Sequence, residues 1–465
     1  MSIRVFRMHV QLPFVLLALI EGALLLAAPH LAASLLNADP GAAGLTPSGV
    51  TLWSAVVFAL LSLVALFAVG LYSARQRCDV TGLVVRVVAA ITIAVILSAL
   101  LFFFLPGTAM GRGVLALAAA IAVLFVLATR AVFGRLIDED LFKRRVLVFG
   151  AGRRAACLSE LRRRADTRGF RLVGFVAADG DAVTVPSQRL VARPPDLLQW
   201  SLRNRIDEIV VAMDDRRLAF PAHELLECRL AGLSIVELPQ FLERETGKVR
   251  LAVSRPSNLI FSEGGGDTAW REGLVRGVDI LASLGILVLT LPLMLFTALA
   301  ILVEDGWRAP VLYRQRRVGR YGEPFDVLKF RSMRVDAEQN GAVWAAPDDP
   351  RNTRVGRCIR KLHLDELPQL VNVLRGEMSL VGPRPERPEF VAQFEQKIPY
   401  YRGRHAVRPG ITGWAQLCYP YGANDEDALE KLQYDLYYVK NRSLLFNLAV
   451  ILQTVEVVLW QKGAR

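Results

Sequence analysis

The chain has 465 residues, enough for two or three domains, and its 53% hydrophobic content and mean hydropathy of +0.34 exclude an ordinary soluble enzyme and require membrane segments. A net charge of +12 points to anionic partners; lipid and phosphorylated substrates fit better than nucleic acid, because the aromatics do not interleave with the cations as a stacking platform needs. The five cysteines (Cys78, Cys157, Cys228, Cys358, Cys418) are scattered without a close pair, which argues against a zinc site or a disulfide framework and for a reducing compartment.

Arg4 and Arg7 precede an apolar run too long for the core of a signal peptide. Four runs reach spanning length, at residues 12–36, 50–72, 83–105 and 114–133. Glu21 and His30 lie in the first; Glu21 is expected to face the bundle, and neither is given a role. Cations gather at the N-terminus, in the second connection (Arg75, Arg77) and after the fourth run (Arg135, Lys143, Arg144, Arg145). The first connection has none and the third only Arg112, so the positive-inside rule places the N-terminus and everything after residue 135 in the cytoplasm.

A buried strand then runs into Gly150-x-Gly152-x-x-Ala155 and a helix, the context that a dinucleotide fingerprint requires. Further strands at 171–177, 208–212 and 234–238 make residues 143–247 a Rossmann-like α/β domain. No acid ends the second strand where a ribose would be held, and Asp179 comes late, in a loop. A scaffold use of the fold is therefore favoured over nucleotide binding. Residues 248–270 read as a linker, most flexible at Gly264, Gly265 and Gly266.

A fifth apolar run, 280–303, has Pro292 near its centre and cations on both sides: Arg271 and Arg276 before it, Arg308, Arg314, Arg316, Arg317 and Arg320 after it. A helix that enters the membrane, breaks at Pro292 and returns keeps both flanks cytoplasmic. The alternative is an ordinary span kinked at the proline. In the strand 325–331, Lys329 and Arg331 project from one face. Arg354, Arg357, Arg360 and Lys361 follow, as a phosphate site or a membrane-surface patch. Next come Asp365 and Glu366, read as the start of a helix with Asp365 as N-cap, Pro368 in the first turn, Leu367, Leu370, Val371 and Leu374 at helical spacing, and Gly376 at its end. Such a start can hold a phosphate, a divalent metal or a nucleophile beside one; the plainer alternative is a pair of capping acids on a surface helix. Arg384, fixed between Pro383 and Pro385, suits phosphate recognition. Arg408-Pro-Gly-Ile-Thr-Gly-Trp-Ala-Gln416 is a turn whose glycines allow close backbone approach to a ligand. The last apolar stretch, 444–460, reads as an in-plane amphipathic helix or equally as a core helix.

From about Arg276 onward the chain resembles the bacterial sugar transferases, the monotopic phosphoglycosyl transferases that make polyprenyl-diphosphate-linked sugars. The motifs that carry the resemblance are Tyr313-Arg-Gln, Lys329-Phe-Arg-Ser-Met333, Asp349-Pro-Arg, Val355-Gly-Arg, Leu364-Asp-Glu-Leu-Pro-Gln-Leu370, Met378-Ser-Leu-Val-Gly-Pro-Arg-Pro385 and the turn ending at Gln416. With the upstream spans and Rossmann-like domain, the chain is similar to the large, exopolysaccharide-initiating form. The resemblance implies that a UDP-sugar donates sugar-1-phosphate to undecaprenyl phosphate with Mg²⁺, releasing UMP. It implies Asp365 as nucleophile, Glu366 in the partner position, Arg384 as the Arg of the Pro-Arg-Pro motif and Pro292 as the break in a re-entrant helix. Beside these, the residues themselves offer Asp365 and Glu366 as metal ligands and Lys329, Arg331, Arg360, Arg384 and Arg408 as phosphate-binding cations. Leu291 stands where the family often has a small polar residue, and 304–309 departs from the usual turn.

The expectation is a membrane protein of α plus α/β class. It has four transmembrane helices (1–138), a Rossmann-like cytoplasmic domain (143–247), a linker (248–270), a re-entrant membrane helix (271–310) and a monotopic α/β catalytic domain with an amphipathic C-terminal helix (311–465). It lies in the bacterial inner membrane with the catalytic domain on the cytoplasmic face, and a homodimer through the Rossmann-like domain or the spans is expected. Three other classes are weighed against it. A transporter needs polar-faced spans, and the first four runs are nearly uniformly apolar. A redox enzyme needs bound NAD(P). An inactive membrane scaffold is at odds with the intact Asp365, Glu366 and Arg384.

Overall fold

The computed structural model describes residues 2–5, 8–38, 50–72, 80–105, 110–136, 143–161, 167, 169–179, 181–215, 220–254, 269–335, 349–419 and 424–460, which fall in two compact units, Met1–Val253 and Ser254–Arg465. In the first unit a hairpin, β1 (Ser2–Val5) and β2 (Met8–Gln11), leads into α1 (Leu12–Ala38). With α2 (Leu52–Ala68), α3 (Val80–Phe104) and α4 (Arg112–Leu136) it forms a bundle in which α1 packs on α2 and α4, and α3 on the same two. Small side chains such as Ala28, Ala55, Ala94 and Ala122 line the interior, while Leu19, Leu60, Phe103 and Leu124 point outward, the distribution of helices solvated by lipid.

Three of these helices are long and apolar enough to cross a membrane, at Val15–Leu36, Gly82–Phe104 and Arg112–Phe133. The second expected span is shorter than 50–72. Gly70 takes φ +82° and the chain folds back so that Leu71 N–H reaches Leu66 O, leaving α2 with 17 residues. That length rises only ~25 Å, the lower limit for a span. Glu21 faces the bundle, fully buried, and pairs with Arg130 of α4 at 2.8 Å; Tyr72 donates to the same carboxylate and Arg130 to Leu71 O at 2.8 Å. His30 is exposed.

The rest of this unit is β3 (Arg144–Phe149), α5 (Arg153–Ser159), β4 (Phe170–Val176), β5 (Leu190–Val191), α6 (Leu197–Arg203), β6 (Glu208–Val211), α7 (Ala222–Leu230), β7 (Ser234–Glu237) and α8 (Leu238–Thr246). The strands form one parallel sheet in the order β5-β4-β3-β6-β7, so the winding direction reverses between β3 and β6, as in a nucleotide-binding fold. The period of two along β3 feeds both layers: Val146 and Val148 join Phe175, Val210 and Phe241, while Leu147 and Phe149 join Ile209, Val211 and Met213. Val253 packs in the first of these cores, so the domain runs past its expected end at 247. The glycines of the expected linker lie outside the described residues.

The second unit opens with α9 (Ala269–Asp305), one continuous helix that contains Pro292. The expected break is not present in the backbone. Pro292 deprives the Val288 carbonyl of its donor, which bends a helix without having to end it. Both ends of α9 are anchored in this unit. Arg276 donates to Leu374 O at 2.8 Å and Asp279 accepts from Ser379 Oγ at 2.7 Å near one end; at the other, Glu304 accepts from Arg354 and Val355 N–H, and Asp305 pairs with Arg331. Between these anchors no residue of 284–296 is buried.

After α9, β8 (Leu312–Val318) and β9 (Pro324–Phe330) form an antiparallel hairpin, followed by α10 (Arg354–Lys361), a 3₁₀ turn (Leu364–Glu366), α11 (Gln369–Arg375), β10 (Ser379–Val381) and α12 (Pro388–Lys397). A 3₁₀ turn (Tyr401–Ala406) leads to β11 (Gly410–Thr412), which pairs parallel with β10, and α13 (Trp414–Cys418), α14 (Asp425–Asn441) and α15 (Leu444–Trp460) close the chain. One side of α15 packs as a core helix does. Phe446 packs against Trp414 and Tyr438, Val450 is buried, and Asn447 accepts from Tyr438 Oη at 3.0 Å. Its exposed side carries Leu444, Leu445 and Leu448.

Candidate active site

Asp365 and Glu366 do not cap an α-helix. His363 takes φ +55°, Leu364–Glu366 forms the 3₁₀ turn, and α11 begins only after Pro368, which has no N–H to donate. Glu366 N–H is spent on His363 O and Leu367 N–H on Leu364 O. The acids are therefore presented by a tight turn rather than by a helix start, while Gly376, at φ +87°, ends α11 as expected.

Around this turn the fold gathers cations from three separate segments. Lys329 Nζ on β9 lies 3.1 Å from Glu366 Oε1, and Arg384 Nη2, from the turn after β10, lies 2.8 Å from the same oxygen. Arg360, in the last turn of α10, donates to Asn352 Oδ1 at 2.7 Å and acts electrostatically on Asp365. Burial works against the Glu366 charge, but Arg384 and Lys329 outweigh it and hold the carboxyl far below its usual range. Asp365, 9% exposed, is shifted the other way: burial and the neighbouring Glu366 charge raise it despite Lys329, Arg360 and Arg384. One acid of the pair is thus an anion held through one oxygen, Oε1, by two cations, and the other a desolvated and more basic carboxylate.

Two expected members lie elsewhere. The strand ends at Phe330, and Arg331, just beyond it, pairs with Asp305 at 2.7 Å, at the end of α9. Arg408 groups instead with Arg320, Arg276 and Arg442 beside Glu272; burial and these cations lower its pKa. The sequence reading missed Glu304, which caps α10 together with Thr353, and Asn372, fully buried, whose amide joins Leu328 N–H to Asp326 O. The unusual stretch at 304–309 was the available signal for the first; an Asn inside a short helix gives none.

The glycine motif of the first unit is geometrically intact and chemically filled. A Cβ on Gly150, at φ +126°, would lie 2.6 Å from Ala212 C, and one on Gly152 2.1 Å from Asp214 Oδ2. The loop N–H groups that would face a pyrophosphate already have partners: Arg153 and Arg154 N–H donate to Asp214 at 2.9 Å each, and Ala151 N–H to Asp181 Oδ2 at 3.0 Å. Asp181 also accepts from Asp214 N–H at 3.2 Å. Asp179 is paired with Arg193 at the surface.

Two family profiles match this chain: bacterial sugar transferase over residues 270–461 and CoA-binding domain over residues 67–218. The exopolysaccharide production protein PSS of Rhizobium leguminosarum bv. phaseoli is 42% identical over 188 residues, 39% of this chain and 93% of that protein. The UDP-N-acetylgalactosamine-undecaprenyl-phosphate N-acetylgalactosaminephosphotransferase of Aeromonas hydrophila is 42% identical over 262 residues, 56% of this chain and 61% of that protein. The undecaprenyl-phosphate glucose phosphotransferase of Komagataeibacter xylinus is 32% identical over 329 residues, 69% of this chain and 60% of that protein. The chain thus spans about 60% of the length of these last two relatives. It belongs to the bacterial sugar transferase family.

Proposed function

We propose that the protein transfers sugar-1-phosphate from a UDP-sugar to undecaprenyl phosphate, giving undecaprenyl-diphosphate-sugar and UMP, as the first membrane step of exopolysaccharide synthesis. The observation that carries this reading is the buried Asp365 beside a Glu366 already neutralised by Lys329 and Arg384. A carboxylate Oδ of Asp365 attacks the sugar-bearing phosphorus, the bond to the UMP oxygen breaks, and UMP leaves with the electron pair. Arg384 and Arg360 hold non-bridging oxygens as charge builds. The acyl phosphate then gives its sugar-phosphate to an oxygen of undecaprenyl phosphate, and Asp365 departs as a carboxylate. The raised basicity of Asp365 supports it as the attacking group.

Two adjacent carboxylates suit Mg²⁺, which takes one or two acids and fills its remaining positions with phosphate oxygens and water. Asp365 and Glu366 would hold it, and the bound ion supplies charge neutralisation for the diphosphate and the departing UMP.

The membrane reading is an α9 that stays helical, bends at Pro292 instead of breaking there, and keeps both ends at a cytoplasmic catalytic domain. It is supported by the anchoring of both ends of α9 in one unit, the unburied stretch between them, and the cations on both flanks. A cysteine placed at position 322 is expected to react only with reagents that reach the cytoplasm; labelling of intact cells from outside would remove this topology. The reaction is tested with radiolabelled UDP-sugars, Mg²⁺ and undecaprenyl phosphate. Ping-pong kinetics, UMP release and a labelled adduct at Asp365 are expected when the acceptor is withheld; an obligatory ternary complex would replace the covalent route with direct transfer.

A further inference from the structure

The turn that carries Arg384 is held at every carbonyl. Pro383 O accepts from Gly410 N–H at 3.0 Å, Arg384 O from Arg404 Nη2 at 2.9 Å, Pro385 O from Arg317 Nη1 at 3.1 Å and Glu386 O from Val318 N–H at 2.9 Å. The two prolines bring no N–H of their own, so these four donors from three other segments define the turn. Of the two side chains among them, Arg404 is the more deeply set, at 6% exposed. Its guanidinium is used up: Nε and Nη2 face Asp435 Oδ2 at 3.0 and 2.9 Å, Nη1 donates to Tyr401 Oη at 2.7 Å, and Nη2 also reaches Arg384 O.

Asp435 is 2% exposed and sits on α14 in the same buried stripe as Ala428 and Leu432. Apolar packing would serve that position better unless the charge had a task. The helix is fixed in turn by a capping box in which Asn424 Oδ1 accepts from Asp427 N–H at 2.7 Å. Gly403 lets the 3₁₀ turn come close, since a Cβ there would meet Leu436 Cδ2 at 2.8 Å.

We propose that Asp435 is a positioning residue for the transfer: it locks the Arg404 fork, which grips the Arg384 carbonyl and so aims the Arg384 guanidinium at Glu366 and the incoming diphosphate. The proposal rests on the reading of Asp365, Glu366 and Arg384 as the transfer site. The charged and titratable groups that face Asp435 are Arg404, Tyr401, Glu386 and Lys431. Burial pushes Asp435 up to about 6 in spite of Arg404, so the lock weakens as pH falls through that value.

The test is a double-mutant cycle on the full-length protein, read as kcat/KM for UMP release from UDP-N-acetylgalactosamine and UDP-glucose with undecaprenyl phosphate. Asp435→Asn is expected to cost about 10²-fold in the parent, the scale of a displaced catalytic group. In an Arg384→Ala background it should cost no more than about threefold, because the group it aims is gone. Asp435→Glu should recover part of the loss, and the acid limb near pH 6 should vanish in Asp435→Asn while the limb set by Asp365 stays. Arg404→Lys keeps a charge for Asp435 but not the fork, and reads the same brace if Asp435→Asn does not fold. Equal losses in both backgrounds, or full activity in Asp435→Asn, overturn the proposal. Turnover that survives Asp365→Asn overturns instead the reading of the reaction on which it rests.

Discussion

Two turns of the protein carry sequence features of a phosphate site, and they differ in how their charges and N–H groups are partnered. At the turn between β3 and α5, the glycines open a cradle of N–H groups that Asp214 and Asp181 occupy from within. At the 3₁₀ turn 364–366, the chain supplies two acids and sets Lys329, Arg360 and Arg384 around them, with Arg384 still 44% exposed. The first arrangement satisfies its own hydrogen bonds and needs no ligand to be stable. The second leaves a desolvated Asp365 that the fold does not neutralise. A phosphate-binding motif therefore defines a backbone shape; residues far away in sequence decide whether that shape is a site or a structural joint.

The largest expected effect falls on the second region. Asp365→Asn should lower turnover by at least about 10³-fold, as removal of a nucleophile from a concerted set does, and should abolish UMP release without acceptor. The same change should raise the thermal midpoint at neutral pH. The folded pKa of Asp365 lies above its ordinary value, so its ionised form is penalised by folding, and the penalty grows as pH rises from that ordinary value through the folded one. Glu366→Gln should do the reverse. Its folded pKa is depressed, so its charge stabilises above its ordinary value, and that gain is lost as pH falls below it. A melting series from pH 3 to 8 separates the two signs. If Asp365→Asn destabilised the protein at pH 7, Asp365 would be a structural ion-pair member.

Smaller, but still in the catalytic region, is Arg384→Ala. Loss of one preorganised donor to developing charge should cost about 10²-fold in kcat. Arg331→Ala should instead act mainly on stability, because its partner is Asp305 on α9. A loss of turnover in a well-folded Arg331→Ala protein would return that residue to the site.

What the sequence made legible follows from range. The acid pair, Arg384 and Lys329 stand in contiguous motifs, and the parallel sheet shows in runs such as Val146 to Phe149 and Glu208 to Val211. Alternation along β9 shows only a shared face for Lys329 and Arg331; the ion pair that occupies Arg331 comes from Asp305, 26 residues away on α9, and leaves no local pattern. Asp365 looked like an N-cap because composition at a helix start does not distinguish a cap from a 3₁₀ turn introduced by a left-handed His363. The brace of Arg404 by Asp435 joins residues 31 apart, and the filling of the glycine cradle joins Arg153 to an acid 61 residues on. Neither leaves a local pattern, since each is made by the topology that brings distant segments together.

The smallest expected effect on turnover, and the sharpest on the comparison, comes from the first region. Gly152→Ala puts a Cβ 2.1 Å from Asp214 Oδ2, so the carboxylate must leave the loop N–H groups it now satisfies. Asp214→Asn keeps the shape but removes the charge. Each should destabilise this domain by about 1–3 kcal/mol, the range for a charge-assisted hydrogen bond to a buried partner, while kcat/KM in detergent stays at the parent value. Nucleotides provide the decisive arm. A ligand of the folded state at 100 times its Kd adds about 2.7 kcal/mol of stability, so about 1 mM CoA or NAD would visibly raise the melting midpoint of a working nucleotide domain. With Asp214 and Asp181 in the cradle, neither is expected to move it in the parent protein. A clear shift with either would show that the two carboxylates yield to a ligand, and that the two regions differ in occupancy rather than in kind.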